Sequence, residues 1–166
     1  QSLRFMALQE LWLIDGCNLI HACEKRYADK AARMTLPVLI NRLGDFAQQT
    51  RIQIRVVLDG VGPEAELEAF QTDRLSVHYS QGVSADTALE RFLTRNRPGP
   101  SCVVITDDRA VASMARGLGC RVFATTEMLE QLRKTGGTQQ EQIYRQDCRS
   151  RTFNRPFDQL LDKKNL

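Results

Sequence analysis

Three apolar segments that each run into an aspartate constrain the fold of this chain more than any other feature. They are Leu11–Asp15, Ile54–Asp59 and Cys102–Asp108. Each consists largely of consecutive aliphatic residues without helical spacing, which predicts a buried strand. The carboxyl ends of parallel strands share one edge of a sheet, and ligands bind in the crevice at that edge. We therefore expect the three acidic strand ends to meet in one place.

The segments between these strands carry helix signals. Thr35 is placed to cap a helix with Pro37 in its first turn. A helix between two apolar strands forms a βαβ unit, so the first two strands should be parallel. Ser84 is placed to cap a second helix over residues 85–95. We expect residues 18–27, directly after the first strand, to form a loop or a short helical turn.

Composition limits the class of protein. The chain has 166 residues, enough for one domain with its own core. It has no run of the ~20 apolar residues of a membrane helix, and residues 1–9 do not resemble a signal peptide, so we expect a soluble protein with Met6 as a candidate native start. Its five cysteines lack Cys-x-x-Cys spacing, which disfavours zinc and favours a cytoplasmic protein. The net charge of +3 permits a nucleic-acid partner without indicating one.

Carboxylates at strand ends and in the first turn of a helix are the candidate functional groups. The set consists of Asp15, Asp59, Asp86, Asp107 and Asp108. Any one of them alone would be an ordinary cap or turn residue. Several carboxylates that face one another repel, and such sites usually hold a cation or share protons. Because the set has no histidine or cysteine partner, it suits Mg²⁺ or Mn²⁺ rather than zinc, and it favours hydrolysis of a phosphate ester.

The same residues carry a resemblance to a known family. Residues 15–21, Asp-Gly-Cys-Asn-Leu-Ile-His, resemble the Asp-Gly-Tyr-Asn-hydrophobic-Ile-His opening of the NYN domains, the nuclease branch related to PIN domains. The similarity continues through Val57-Leu58-Asp59, through Ser84-Ala85-Asp86, and through residues 104–108, which resemble the family's Val-Val-Thr-Ser-Asp. It spans residues 11–134 and is strongest toward the bacterial YacP-like group.

The resemblance implies a PIN-like fold, a three-layer α/β/α sandwich with a mainly parallel central sheet. It also implies an endoribonuclease that depends on Mg²⁺ or Mn²⁺. In the YacP-like group the associated role is mRNA cleavage at the ribosome, so RNA and the ribosome are the implied partners. The family's acidic positions fall on Asp15, Asp59, Asp86 and Asp108, and its asparagine falls on Asn18.

Two positions depart from the family pattern. Cys17 replaces the usual tyrosine, which removes an aromatic ring from the neighbourhood of the expected substrate. Asp107 stands where serine is typical, so it either adds a metal ligand or caps the following helix.

The carboxylates are assigned different roles. We predict that Asp15, Asp86 and Asp108 are the main metal ligands, either directly or through water, with Asp107 as an additional candidate. Asp59 completes the catalytic set, although an Asp-Gly pair is also ordinary turn chemistry.

Three polar residues beside these carboxylates are candidates for contact with substrate. Asn18 and Thr106 are short polar side chains placed to orient a phosphate or a ligating carboxylate, although Thr106 could instead bond its own backbone. Arg109 either holds a phosphate or offsets the carboxylates. We expect His21 to be partly buried against its neighbours and leave it out of catalysis.

RNA binding would require basic residues around the acidic site. The candidates lie after the first strand, around the helix that follows Ser84, and in the tail: Lys25, Arg26, Lys30, Arg33, Arg91, Arg95, Arg97, Arg145, Arg149, Arg151 and Arg155. We predict that they flank the site and neutralise a single strand, with Lys25 and Arg26 contacting substrate. The alternative for each charged run is a solvated face.

The predicted organisation is an N-terminal extension over residues 1–10, a nuclease domain over 11–135, and a basic, partly helical appendage over 136–166. Two other functions remain open. A phosphatase of the doubly wound type usually has Asp-x-Asp, and Cys17 stands at its second acidic position. An RNA- or ribosome-binding module without activity would gain nothing from an anionic pocket that faces a polyanion.

Overall fold

The central feature of the structure is a parallel β-sheet. The computed structural model describes residues 9–26 and 34–135. The strands are β1 (Leu11–Asp15), β2 (Gln53–Leu58), β3 (Leu75–Tyr79), β4 (Cys102–Ile105) and β5 (Arg121–Phe123). Their order is β3-β2-β1-β4-β5, and every neighbouring pair is parallel. All three predicted acidic strands are present and lie side by side.

Helices cover both faces of this sheet. They are α1 (Gly16–Arg26), α2 (Leu36–Thr50), α3 (Ala85–Asn96), α4 (Arg109–Gly117) and α5 (Thr125–Thr135), with short 3₁₀ turns at Glu64–Phe70 and Gly99–Ser101. Buried side chains of α1, α2 and α5 share one apolar cluster, and those of α3 and α4 share the other. This is the expected three-layer α/β/α sandwich.

The strand order creates a switch point at the centre of the sheet. The connections from β1 lead outward through β2 to β3, and the chain then returns past β1 to form β4 and β5 on the other side. In register, Asp15 lies opposite Val57, and Ile14 lies opposite Ile105. Ligands bind at such a point, beyond the carboxyl ends of the strands.

The segment after β1 differs from the expectation of a loop or a short helical turn. It forms the full helix α1, beginning at Gly16. Leu19 and Cys23, one turn apart, are buried against the sheet, and this short apolar stripe explains the helix. A Cβ on Gly16 would lie 2.7 Å from Leu58 Cδ2, so only glycine lets α1 begin this close to β2. Two helices, rather than one, therefore connect β1 and β2.

The other helix signals are largely confirmed. Ser84 accepts a hydrogen bond from the Thr87 amide at the start of α3, as expected for an N-cap. Thr35 precedes α2, but its side chain makes no capping hydrogen bond. Pro37 contributes to this difference because it has no N–H group to donate at the second helical position.

The remaining predictions of organisation concern membrane-spanning helices and the boundaries of the domain. Within the described residues, no helix has the length and apolar character needed to cross a membrane. The N-terminal extension and the basic appendage fall almost wholly outside the described residues, so those domain boundaries stay predictions.

Candidate active site

Asp15 lies at the junction of β1 and α1. The strand places it on the α3 side of the sheet, the same side as Leu13, because side chains alternate along a strand. Its Oδ1 accepts the Asn18 amide at 3.0 Å, so the carboxylate also caps α1. The side chain is only 4% exposed. Burial raises the pKa of Asp15 to about 6, and the charges of Asp86 and Asp59 contribute to that rise.

Asp86 faces Asp15 from the first turn of α3. Its Oδ1 is buried and has no hydrogen-bond partner among the described residues. Burial raises the pKa of Asp86, and the charges of Asp108, Glu90 and Asp59 raise it further, whereas a hydrogen bond with Asp15 lowers it. A carboxylate with a buried and unpartnered oxygen is destabilised unless a cation or a proton occupies that side.

Asp59 and Asp108 complete the group from the two strands beside β1. Asp59 is exposed just beyond β2, where Ser80 Oγ accepts the Gly60 amide at 3.1 Å and ties this turn to the end of β3. Asp108 is half-buried and caps α4, since its Oδ1 accepts the Val111 amide at 2.9 Å. The structure therefore brings Asp59 and Asp108 within electrostatic reach of Asp86.

The neighbouring Asp107 is directed elsewhere. Its Oδ1 accepts the Thr125 amide at 3.0 Å, and its Oδ2 accepts the Thr125 hydroxyl at 2.5 Å. Asp107 thus anchors the start of α5, a third role beyond the two that we considered. Thr106 is buried, and its Oγ1 accepts the Asp108 amide at 3.0 Å, which fixes the turn that separates the two aspartates.

The predicted basic contacts lie at different distances from the acidic group, and among those in the described residues only Arg109 is next to one of its members, Asp108. Lys25 and Arg26 lie at the far end of α1, about 15 Å along its axis from Asp15. Arg26 Nη2 lies 3.0 Å from Glu130 Oε2 and so pairs with α5 instead. Arg109 is exposed on the first turn of α4.

Other sequence predictions have different outcomes. His21 is 72% exposed and lies 3.7 Å from Glu24, so the expected partial burial is wrong. Only Gly16, Leu19 and Cys23 of α1 are buried, and His21 lies on the solvent-facing side of the helix. Asn18 donates its backbone N–H to Asp15, and any contact of the Asn18 side chain with substrate stays a prediction. Lys30, Arg33 and the four tail arginines lie outside the described residues.

The donor chemistry fits Mg²⁺ or Mn²⁺. Asp15, Asp59, Asp86 and Asp108 offer only oxygen, and the unpartnered Oδ1 of Asp86 lies among them. In the part of the chain that the structure describes, no three acidic, histidine or cysteine side chains are already close enough to form a metal shell. The residues therefore match the ion in type and charge, and a bound ion would have to draw the carboxylates closer together.

Two further residues on the α3 side of the sheet were not singled out from the sequence. Ser80 fixes the turn beside Asp59, and no local sequence pattern predicts this role. Arg55 stands in β2 between apolar residues, and its guanidinium carbon lies 5.2 Å from the ring centroid of Phe92 on α3. A charged residue inside an otherwise apolar strand was the signal that could have identified Arg55.

Comparison with known proteins agrees with this architecture. The family model described as the YacP-like NYN domain matches residues 12–165. The chain belongs to the YacP-like NYN family. No curated protein matches it. The crystal structure of Rae1 (YacP) from Bacillus subtilis is similar with a TM-score of 0.59 at 22% identity, and the match covers 95% of this chain and 90% of that chain.

A second crystal structure, of a tryptophan-to-leucine variant of Rae1 (YacP) from Bacillus subtilis, gives a TM-score of 0.58 at 21% identity. That match covers 76% of this chain and 77% of that chain. At this identity the structural likeness establishes the fold. Together with the family match, it supports a nuclease-family fold for this YacP-like NYN chain.

Proposed function

We propose that this protein is a metal-dependent endoribonuclease that hydrolyses phosphodiester bonds of single-stranded RNA. The observation that carries the proposal is the convergence of Asp15, Asp59, Asp86 and Asp108 at the switch point of a nuclease-family fold. Converging carboxylates destabilise a protein unless they serve a ligand, and perturbed carboxyl groups in a cleft mark functional sites.

The side chains divide the work according to their surroundings. Asp15, Asp86 and Asp108 would hold the ion, with Asp59 at the exposed rim. When bound, Mg²⁺ or Mn²⁺ polarises a phosphate oxygen and lowers the pKa of water. Capping of α1 and α4 fixes Asp15 and Asp108 in place, because each keeps one oxygen bonded to a helix amide. Each of these two carboxylates would therefore present its remaining oxygen to the ion from a restrained position.

The finer assignments are part of the same proposal. We propose that mRNA on the ribosome is the cellular substrate and the cytoplasm is the compartment, on the strength of the YacP-like resemblance of residues 15–21 and of the family match. Asn18 and Arg109 are the proposed contacts for a phosphate at the acidic group, and the buried Thr106 would orient the Asp108 carboxylate through its bond to the Asp108 amide. Asp107 is left out of the proposed ligand set because Thr125 occupies both of its oxygens.

The test is cleavage of a labelled single-stranded RNA in Mn²⁺, in Mg²⁺ and in EDTA. Wild type should cut only with metal, and Asp15→Asn and Asp86→Asn should each lower the rate on the order of a hundredfold or more, since both remove a ligand charge. Asp73→Asn is the matched control, because Asp73 is exposed just before β3, at the opposite edge of the sheet.

The outcomes separate the remaining functions. Cleavage that survives in EDTA or in both site variants would contradict the proposal. An absence of cutting, both of free RNA and of mRNA on translating ribosomes, would favour the binding module. Release of inorganic phosphate from phosphomonoesters, without cutting of RNA, would favour the phosphatase.

A further inference from the structure

A groove separates α3 from the edge strand β3 on the α3 side of the sheet. Its volume is about 250 Å³. Three arginines line it, Arg55 from β2 and Arg91 and Arg95 from α3. Among the described residues that line the groove, none is acidic. The groove is therefore a concentrated positive surface on a chain whose net charge is only +3.

The groove begins beside the carboxylates. Ser80, which holds the turn carrying Asp59, is one of its lining residues. On α3, Arg91 and Arg95 follow Asp86 by about 7 Å and about 13 Å along the helix axis. They lie one turn apart on the same side of the helix, so their charges form a row that leads away from the acidic group.

Aromatic side chains accompany the arginines. The Arg55 guanidinium lies over the ring of Phe92, with its carbon 5.2 Å from the ring centroid, and His78 lies on the β3 side of the groove. Arg91 and Arg95 are exposed, so their side chains are accessible to a ligand. Cations that follow a backbone, together with ring and guanidinium planes for stacking, are the usual means of binding a single-stranded nucleic acid.

We infer that this groove, lined by Arg55, Arg91 and Arg95, binds the segment of single-stranded RNA next to the phosphate at the acidic site. The inference rests on the proposed endoribonuclease function and assigns that function a track for its substrate. Arg91 and Arg95 contact successive phosphates, and the Arg55–Phe92 cation–π pair supports a base. The acidic group repels RNA without metal, so the groove supplies the attraction that holds the strand there.

Two acidic residues oppose this charge from the rim, because Tyr79 Oη donates a hydrogen bond to Glu66 Oε2 at 3.3 Å and Glu64 faces His78. Glu64 Oε2 lies 3.3 Å from His78 Nδ1, on the side of the groove away from α3. The row on α3 faces no such partner in the described residues that line the groove. A protein partner is the alternative occupant, and it would favour a mixture of charges rather than a row of one sign.

The experiment measures RNA binding by fluorescence anisotropy in an Asp86→Asn background, where the RNA should stay intact. The test variant is Arg91→Gln with Arg95→Gln. Its control is Arg51→Gln with Arg116→Gln, which removes two exposed arginines outside the groove. Loss of two phosphate contacts should weaken binding roughly twentyfold at 0.1 M salt and reduce the slope of log K against log salt by about 1.4, whereas the control should change affinity by less than about twofold.

Equal affinity of the test and control variants would overturn the groove, and metal-dependent cutting by the wild type would then leave the nuclease proposal standing. Weakened binding in the test variant supports the groove even if no metal supports cutting, in which case only the nuclease proposal fails. A test variant that binds RNA normally but no longer sediments with ribosomes would overturn the RNA track in favour of a protein surface.

Discussion

The two faces of the sheet are built differently, and the difference locates the site. Among the described residues, the face covered by α1, α2 and α5 has a buried apolar cluster of 22 residues. The face covered by α3 and α4 has one of 10, and it leaves β3 and part of β2 open. The first face, called the thick face below, contributes most of the buried apolar core that stabilises the domain. The second face, called the thin face below, has room for carboxylates and arginines.

This asymmetry follows from the connections. The return from β3 to β4 carries a single helix, α3, which packs over β1 and β2 and leaves the edge strand uncovered on that side. Alternation along β1 sends Trp12 and Ile14 to the thick face and Leu13 and Asp15 to the thin one. The same strand therefore supplies both the core and the candidate ligand.

The largest expected effect is on stability of the thick face. Leu43 and Leu89 are both fully buried, but Leu89 lines the groove. Leu43→Ala should lower the free energy of unfolding by about 4 kcal/mol, because the closely packed surroundings of Leu43 cannot collapse into the cavity that the substitution leaves. Leu89→Ala should cost less, about 2 kcal/mol, because groove side chains can relax into the space. Urea unfolding followed by Trp12 fluorescence measures both, and equal losses would contradict the asymmetry.

The second effect concerns the charge on Asp15. Its pKa rises from 3.8 to about 6 on folding, which corresponds to about 3 kcal/mol. The folded state binds the proton more tightly, so this contribution to stability is present below pH 4 and is lost as the pH rises to 6. In EDTA, Asp15→Asn should thus be more stable than wild type at pH 7 and nearly equal to it at pH 4. A difference that does not change with pH would contradict the buried carboxylate.

Features of the fold and site that depend on residues close together in the sequence were predictable, whereas features that depend on distant residues were not. The acidic strand ends and the cap at Ser84 were predictable because each rests on adjacent residues. Helix α1 was not, because Asp15 is at once the last residue of β1 and the cap of α1. The site could be predicted as a set of aspartates, yet the roles of individual members depended on tertiary partners.

Partners far apart in sequence explain the other differences. Arg26 pairs with Glu130 across the α1–α5 contact, and Asp107 bonds Thr125 at the start of α5. Neither partner is visible from the local pattern. The groove was equally hidden, since Arg55 and Arg91 come together only when α3 packs on β2.

The third effect sharpens the contrast between adjacent aspartates. Asp107→Ala removes two hydrogen bonds to Thr125 and should lower stability by about 1–3 kcal/mol while metal-dependent cutting persists. Asp108→Asn should abolish cutting with a smaller loss of stability, since asparagine can also cap α4. Thermal unfolding and RNA cleavage, measured on both variants, check the pair. Loss of cutting in Asp107→Ala at a temperature where it remains folded would return Asp107 to the ligand set.

The most direct test of the central claim is calorimetric titration of the full chain with Mn²⁺ at pH 7. We expect saturable binding that raises the melting temperature, because an ion that binds only the folded state stabilises it. Binding should be lost in Asp15→Asn and Asp86→Asn and retained in Asp73→Asn. Absence of binding to the wild type, or binding that survives in both site variants, would contradict the assignment of these carboxylates as a metal site.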